Sequence, residues 1–211
     1  MSVVPTLPPP PPLLLLVSGP AGSGKTTLCD RMCAAFPERI RRVITCTTRQ
    51  PRDAELAGVD YHFMDEAAFA RKIAAGEFLE HARVHQNFYG TRRSDVDALF
   101  AQGFDLLLNL DVQGAASVRA VAAVDARLRH ALASIFIMPP SFEELNGRLS
   151  GRGTESREEL ERRLRVATQE MEQWPSYDFC LESHGRDEDF EQLKSVYFAE
   201  KMRVSRHYPA P

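Results

Sequence analysis

The sequence predicts an α/β fold in which helices cover both faces of a parallel β-sheet. Short, continuous apolar runs recur along the chain, among them Leu13 to Val17 and Leu106 to Leu110. Strands that are buried on both faces have this composition. Segments that carry helix-start signals separate the runs. Buried strands that alternate with helices are typical of a parallel sheet in an α/β protein.

Each predicted strand is an apolar run between turn signals. In chain order the strands are Leu13 to Val17, Val43 to Cys46, Phe78 to Val84, Leu106 to Leu110, Ser134 to Met138 and Phe179 to Leu181. The stretch from Thr47 to Arg93 is richer in polar turns, and we interpret it as an insertion in the sheet scaffold.

The helices are predicted from amphipathic patterns and from capping boxes, in which a serine precedes an acidic residue by three positions. They are Thr26 to Phe36, Glu66 to Ala75, Ser94 to Gly103, two that begin at Ser141 and Ser156, and Asp187 to Val204. The capping boxes pair Ser94 with Asp97, Ser141 with Glu144, and Ser156 with Glu159.

Size and composition agree with one globular domain that carries insertions. The chain has 211 residues, of which 44% are hydrophobic and 26% are charged, and its formal net charge is -3. Such a small net charge predicts neither a nucleic acid nor an anionic membrane as a partner. No apolar run reaches the length that spans a bilayer. The composition leaves open whether the protein is a monomer or a homo-oligomer.

The cysteines and the first residues indicate the compartment. The four cysteines show neither a C-x-x-C pair nor the spacing of a disulfide framework, which favours the reducing cytoplasm. Residues 1–12 are rich in proline and have no basic n-region, and the apolar run after them is too short for a signal peptide. We expect a disordered or polyproline-II leader at 1–12 and a cytoplasmic protein.

The strongest signal is a phosphate-binding loop. It is a full match to the pattern G-x-x-x-x-G-K-[ST], between a predicted strand and a predicted helix, and its residues are Gly19, Pro20, Ala21, Gly22, Ser23, Gly24, Lys25 and Thr26. The glycines allow backbone N–H groups to converge on a polyphosphate, and the helix N-terminus adds its positive dipole end. Lys25 is expected to contact the β- and γ-phosphates, and the Thr26 hydroxyl to coordinate Mg²⁺. We predict that this loop, with the adjoining Thr27, binds a nucleoside triphosphate.

An acidic residue that follows a buried strand completes this prediction. Asp111 comes directly after the run Leu106 to Leu110, the position of a Walker-B acid. We expect it to act on the magnesium ion through water, and a solvated loop aspartate is the alternative. The chain has no N-K-x-D segment with which a GTPase would read guanine, so we predict phosphoryl transfer to a small molecule.

Two groups of arginines supply the cations that this transfer needs. Fixed cations stabilise the charge that spreads over the transferring group, and a guanidinium group binds phosphate oxygens in pairs. Arg49 and Arg52 lie in a threonine-rich turn. The second group lies in or near a glycine-flanked segment that suggests a loop able to close over phosphates, and it comprises Arg148, Arg152 and Arg163.

These residues resemble the guanylate kinase family from Leu13 to about Phe198. The segments that carry the resemblance follow one another in the family's order and spacing, and they are Ser18 to Thr26, Thr45 to Arg52, Gly58 to Phe63, Gly76 to Glu80, Asn87 to Thr91, Asp111 to Gly114, and Pro139 to Thr154. The resemblance implies a parallel-sheet P-loop kinase core with an inserted GMP-binding subdomain at 44–94 and a lid at 142–163. The core would comprise 13–43, 95–141 and 164–211. The implied activity is transfer of the γ-phosphate of MgATP to GMP and to dGMP, in purine nucleotide metabolism.

The resemblance also implies roles for single residues. The phosphate of GMP would be bound by Arg49, Arg52, Tyr61 and Tyr89. Its guanine would be read by Thr45, Glu80 and Thr91, with Asp111 also in the substrate site. The chemistry of Glu80 agrees, because a carboxylate can accept from both N1–H and the N2 amino group of guanine, a pattern that adenine lacks. The catalytic cations would be Lys25, Arg49, Arg148, Arg152 and Arg163.

Some positions depart from the family pattern, and two other functions stay open. Asn109 stands where an acid is usual, and Ser183 with His184 replaces an Asn-Asp pair near the adenine. One alternative is a catalytically inactive guanylate-kinase-like module that binds proteins, against which the intact Lys25 argues. The other is a related kinase with another acceptor, against which the intact Glu80 argues.

Overall fold

The structure is a computed structural model that describes residues 8–84, 86–150 and 157–207, without the side chains of residues 148–150 and 157–161. Its strands are β1 (Leu14–Ser18), β2 (Ile40–Arg42), β3 (Thr45–Thr47), β4 (Tyr61–Phe63), β5 (Phe78–Val84), β6 (Asn87–Arg92), β7 (Asp105–Asn109), β8 (Leu132–Met138) and β9 (Phe179–Glu182). Its helices are α1 (Lys25–Ala35), α2 (Glu66–Ala74), α3 (Arg93–Ala101), α4 (Val112–Val124), α5 (Ala126–Ala131), α6 (Phe142–Ser150), α7 (Arg157–Met171), α8 (Arg186–Met202) and α9 (Val204–His207).

The core is a five-stranded parallel sheet in the order β2-β7-β1-β8-β9. The predicted α/β fold with a parallel sheet is thus confirmed. Successive side chains of a strand point to opposite faces, and the central strand β1 therefore contributes to two apolar cores. Leu15 and Val17 pack with residues of α1 and α8, whereas Leu14 and Leu16 pack with residues of α3, α4 and α5.

A second, four-stranded sheet, in the order β4-β3-β6-β5, lies within residues 45–92. It is mixed, because β3 pairs with β4 in parallel and with β6 in antiparallel fashion. Helix α2 covers it through Phe69, whose ring centroid lies 4.5 Å from that of Phe78 and 5.5 Å from that of Phe88. A Cβ at Gly90 would lie 3.0 Å from atoms of Phe69 and Phe78, so the rings need a glycine beneath them.

The two sheets place the candidate site residues at one edge of the core. The carboxyl ends of parallel strands meet at the same edge of a sheet, where α/β proteins bind ligands. Strand β1 runs into the phosphate-binding loop there, and β7 runs into Asp111. The second sheet reaches this edge because β5 contacts α4, which Asp111 caps.

The predicted strand Val43 to Cys46 is wrong, because the chain changes sheets within it. Ile40–Arg42 pairs with β7 in the core sheet, and Thr45–Thr47 begins the second sheet. Val43 lies between them and is buried in the core, which explains why the apolar run continues across the crossing. Sequence reasoning also missed β4, β6, α4 and α5.

Two of the three predicted capping boxes can be compared with the structure. The N–H of Glu144 donates to the Ser141 hydroxyl at 3.1 Å, as predicted. The Ser94 box is wrong, because α3 begins one residue earlier and its N-cap Arg92 makes no side-chain capping bond. Ser156 of the third box lies outside the described residues.

The ends of the described chain meet each other. The Nζ group of Lys201 donates to the carbonyl oxygen of Pro11 at 3.2 Å, and His207 Nδ1 lies 3.0 Å from the carbonyl oxygen of Pro8. The first seven residues of the predicted leader lie outside the described part.

None of the helices in the described ranges has the length and apolar character needed to cross a membrane.

Candidate active site

The phosphate-binding loop depends on two glycine conformations. Gly24 has φ 89° and forms the N-cap of α1, a left-handed conformation that glycine adopts without strain. Gly19 has φ 144°, and a Cβ on it would lie 2.5 Å from the carbonyl oxygen of Ile137 on β8. The loop can therefore turn against the core sheet only with glycine at position 19.

Lys25 lies along the inside of this loop. Its Nζ group donates to the carbonyl oxygens of Gly19 at 2.7 Å and Pro20 at 2.8 Å. Desolvation lowers the pKa of Lys25, and the nearby carboxylates of Glu170 and Asp111 act in the opposite direction. The ammonium group is thus held where it can move from loop carbonyls to a phosphate.

Next to Lys25 lies a cavity of about 250 Å³ that joins the two sheets. It is lined by residues of the phosphate loop, of the second sheet and of the β7 end, namely Lys25, Thr26, Thr45, Tyr61, Glu80, Ala82, Val84, Tyr89, Asn109, Leu110, Asp111 and Gly114. The structure therefore brings together most of the residues that the sequence predicted for the acceptor.

Glu80 lies deep in this cavity wall with only 4% of its surface exposed. The Thr91 hydroxyl donates to its Oε1 at 2.7 Å. Burial is the main cause that raises the pKa of Glu80 to about 7, and the Asp111 carboxylate adds to it, while hydrogen bonds from Thr91 oppose it. A Cβ at Gly114 would lie 3.2 Å from Glu80 Oε2, so α4 approaches the carboxylate closely because this position is glycine.

The end of the cavity that Tyr61 and Tyr89 line is polar and aromatic. The Arg49 guanidinium lies 5.5 Å from the ring centroid of Tyr61, and the rings of Tyr61 and Tyr89 are 6.1 Å apart. Both oxygens of Glu55 accept from Nη2 of Arg49 at 2.8 Å, and this bonding is the main cause that raises the pKa of Arg49. Arg52 lies on the same turn with an exposed side chain.

Oxygen ligands suited to a hard cation lie between this cavity and the loop. Thr26 Oγ1 accepts from Asn109 Nδ2 at 3.0 Å. Asp111 caps α4 by accepting from Gly114 N–H with Oδ1 at 2.7 Å. A hydroxyl and a carboxylate are ligands that Mg²⁺ prefers, so these residues fit the ion.

A second cavity, of about 290 Å³, lies between the phosphate loop and α7. It shares Lys25, Val84 and Asp111 with the first cavity, and its other lining residues are Gly19, Ala21, Gln113, Arg162, Arg163, Val166 and Glu170. Arg163 thus lies beside the phosphate loop. Arg152 lies outside the described residues, as does the side chain of Arg148.

Sequence reasoning missed Glu170, which faces the loop from α7. Burial is the main cause that raises the pKa of Glu170, and Lys25 opposes the shift, as does a hydrogen bond from the backbone of Ala21. No motif marks this glutamate, because its position depends on how α7 folds back over the loop.

A third, open groove of about 470 Å³ lies on another side of the loop. It is lined by Gly22, Gly24, Thr27, Leu28, Arg31, Gly185, Arg186 and Asp189. Asp189 organises the turn after β9, because it accepts from the Ser183 hydroxyl at 2.7 Å and from the His184 N–H at 2.9 Å. Arg31 donates to the carbonyl oxygen of Arg186 at 2.7 Å, a contact that the sequence did not predict.

Comparisons with known proteins agree with this geometry. The family model described as guanylate kinase matches residues 12–200. The guanylate kinase of Hahella chejuensis is 42% identical over 190 residues, which cover 90% of this chain and 87% of that protein. The guanylate kinase of Neisseria meningitidis serogroup A is 44% identical over 190 residues, with 90% and 89% covered. The crystal structure of guanylate kinase from Anaplasma phagocytophilum matches with a TM-score of 0.74 and 30% identity, and covers 95% of this chain and 91% of that one. The chain belongs to the guanylate kinase family.

Proposed function

We propose that the chain transfers the γ-phosphate of ATP to GMP, to give ADP and GDP, between the two cavities that share Lys25. One observation carries this proposal. A cavity with a buried carboxylate suited to guanine and a cavity at a phosphate-binding loop meet at one lysine. Phosphoryl transfer requires such an arrangement, because both substrates must be held in line with cations around the transferring group.

The acceptor base would lie against Glu80, Thr91 and Thr45. The carboxylate of Glu80 would accept from N1–H and from the N2 amino group of guanine, and the threonine hydroxyls would satisfy the remaining base edge. Adenine presents no such pair of donors, and an unpaired buried carboxylate would disfavour it. We include dGMP as an acceptor, because none of these contacts needs a 2′-hydroxyl.

The acceptor phosphate would lie at the other end of the same cavity, where Arg49, Arg52, Tyr61 and Tyr89 bind it. Arg49 and Tyr61 are already in contact there. Guanidinium groups suit this role because they bind phosphate oxygens in pairs and stay charged.

The donor would lie on the phosphate loop. The backbone N–H groups of the loop and of the first turn of α1, up to Thr27, would surround its phosphates. Lys25 and Arg163, together with Arg148 and Arg152, would stabilise the charge of the transferring group. The nucleoside of ATP would extend into the groove between Thr27 and Gly185.

A magnesium ion would be held by the Thr26 hydroxyl and, through water, by Asp111. When bound, the ion would neutralise phosphate charge beside Lys25. The hydrogen bond that Asn109 Nδ2 donates to Thr26 Oγ1 orients the hydroxyl group.

The parts of the chain would move as the substrates bind. We propose that residues 44–94, which contain the second sheet, form the GMP-binding subdomain and that residues 142–163 form a lid. Closure of both would exclude water from the transferring group.

We also propose a cytoplasmic location, since the four cysteines are free thiols and a reducing compartment preserves them.

The test is a coupled assay that measures ADP formation from ATP with GMP, dGMP, AMP, UMP or dTMP as acceptor. We expect turnover with GMP and dGMP, a much lower kcat/KM with each of the other acceptors, and loss of turnover when magnesium is chelated. Equal turnover with AMP would contradict the proposed role of Glu80, and no turnover with any acceptor would contradict the activity itself.

A further inference from the structure

Glu55 is an anionic side chain in the turn that carries the two acceptor-phosphate arginines. Its side chain and that of Arg49 are each only 17% exposed. The carboxylate accepts from Arg49 Nη2 with both oxygens at 2.8 Å, and from the backbone N–H of Arg52 with Oε2 at 2.9 Å. One carboxylate therefore connects the side chain of one arginine to the backbone of the other.

The turn around Glu55 is itself fixed by backbone hydrogen bonds. The N–H of Glu55 donates to the carbonyl oxygen of Arg52 at 2.9 Å, so these two residues are bonded in both directions. Further along, the N–H of Gly58 donates to the carbonyl oxygen of Tyr61 at 2.9 Å. The carboxylate thus has a defined position relative to Arg49 and Arg52, two residues proposed to bind the acceptor phosphate.

The contact also determines which donors of Arg49 remain for a ligand. Nη2 is used by Glu55, and Nη1 donates to the carbonyl oxygen of Gln50 at 2.8 Å. The carboxylate of Glu55 is the main cause that raises the pKa of Arg49, and the nearby Tyr89 acts in the same direction. Since an arginine has five N–H donors in a planar fork, these bonds from both terminal nitrogens fix the plane of the Arg49 fork.

We infer that Glu55 is a positioning residue, which fixes the Arg49 guanidinium and the Arg52 backbone so that both arginines meet the acceptor phosphate together. The inference rests on the proposed roles of Arg49 and Arg52 in binding that phosphate. An arginine side chain loses rotamer freedom when it binds a ligand. Because Glu55 already orders the Arg49 guanidinium in the folded protein, this entropy cost does not have to be met when the phosphate binds.

The test compares Glu55→Gln with Glu77→Gln as a matched control. Glu77 lies in the same insertion, and its Oε2 pairs with Lys72 Nζ at 2.7 Å on the surface. Glutamine keeps the shape of Glu55 but presents an N–H₂ group to the guanidinium, so the paired bond is lost. We expect Glu55→Gln to raise the KM for GMP about tenfold, to change kcat by less than about twofold and to leave the KM for ATP unchanged. Glu77→Gln should change none of these.

Inhibition by guanosine separates positioning from general damage. Guanosine has the base but no phosphate, so its inhibition constant should be unchanged in Glu55→Gln. Glu55→Asp, which keeps the charge, should give a KM for GMP between those of the wild type and Glu55→Gln. In the double variant with Arg49→Ala, the rise in KM should be smaller than the product of the two single effects, because the two residues act through one contact.

Several results would overturn the inference. An unchanged KM for GMP in Glu55→Gln would show that Glu55 does not position the arginines. A lower KM would show that the carboxylate competes with the phosphate, and a weaker guanosine inhibition would show a structural role only. If Arg49→Ala itself left the KM for GMP unchanged, the proposed role of Arg49 would be wrong. If Arg49→Ala raised the KM for GMP and Glu55→Gln did not, only the inference about Glu55 would be refuted.

Discussion

Replacing Glu80 with glutamine tests the electrostatics of the acceptor site while keeping the shape of the side chain. Glu80 is 4% exposed, and burial, as the main cause, raises its pKa from 4.5 to about 7. The folded-state pKa is thus above the unfolded-state value, and the native protein keeps a proton that the unfolded chain has released. Stability from this group is fully present below the unfolded pKa and is lost as the pH rises through about 7.

The size of the effect follows from the shift. A pKa difference of about 2.5 corresponds to about 3.5 kcal/mol in full, since a pKa difference of one corresponds to about 1.4 kcal/mol. Glutamine does not titrate and loses nothing over this range. The free energy of unfolding of Glu80→Gln, relative to that of the wild type, should therefore rise by about 3 kcal/mol between about pH 4.5 and about pH 8.

Urea unfolding of the ligand-free proteins at a series of pH values measures this difference. Groups that titrate equally in both proteins cancel when the two curves are subtracted. Glu77→Gln is the control, because it makes the same substitution at a side chain that is 46% exposed. A pH-independent difference between Glu80→Gln and the wild type would refute the assignment of a buried carboxylate with a raised pKa to this position.

The remaining predictions concern activity. Glu80→Gln should lower the preference for GMP over AMP by about a hundredfold, because buried guanine donors lose their charged acceptor, and the ratio of kcat/KM for the two acceptors measures it. Lys25→Ala should lower kcat at least about a thousandfold, because the transferring charge loses its central cation, and near-normal turnover would disprove this role. Gly19→Ala should abolish tight ATP binding, since the new Cβ would lie 2.5 Å from the carbonyl oxygen of Ile137, and calorimetric titration with ATP checks it. Gly147→Ala, where none of the described atoms beyond the neighbouring residues and the backbone of its own helix lies within 4 Å of the added Cβ, should bind ATP normally, and equal binding by both variants would contradict the steric argument.

The core sheet could be predicted because its strands are buried on both faces. β1 and β7 are continuous leucine-rich runs with no exposed face, and such runs need no tertiary information to be read as strands. The same rule failed at Val43 to Cys46, because burial continues while the chain passes from one sheet to the other. Apolar runs report burial, and they do not report which sheet buries them.

The second sheet was predicted less well because its strands carry the candidate site. β4 and β6 are short and partly polar, and they contain Tyr61, Tyr89 and Thr91. Side chains that face a ligand cavity break the alternation that marks a strand. Local pattern and proposed function therefore conflict at these positions, as is expected of a binding site.

The candidate site was predicted where motifs mark it and missed where tertiary contacts create it. Lys25 and Thr26 follow from the phosphate-loop pattern, and Glu80 from the family resemblance. Glu55 and Glu170 carry no comparable signal. Their importance arises only when a turn brings one carboxylate to Arg49 and when α7 brings the other to the phosphate loop.

The proposed reaction requires two phosphates to meet at Lys25, one held by the phosphate loop and the other by the turn that carries Arg49 and Arg52. The most direct measurement follows the γ-phosphate of ATP with a radioactive label in the presence of magnesium and GMP. The label should appear as the β-phosphate of GDP with the wild-type protein, and Lys25→Ala should leave it in ATP. A label that is released as inorganic phosphate, or that never leaves ATP in the wild type, would contradict the proposed reaction.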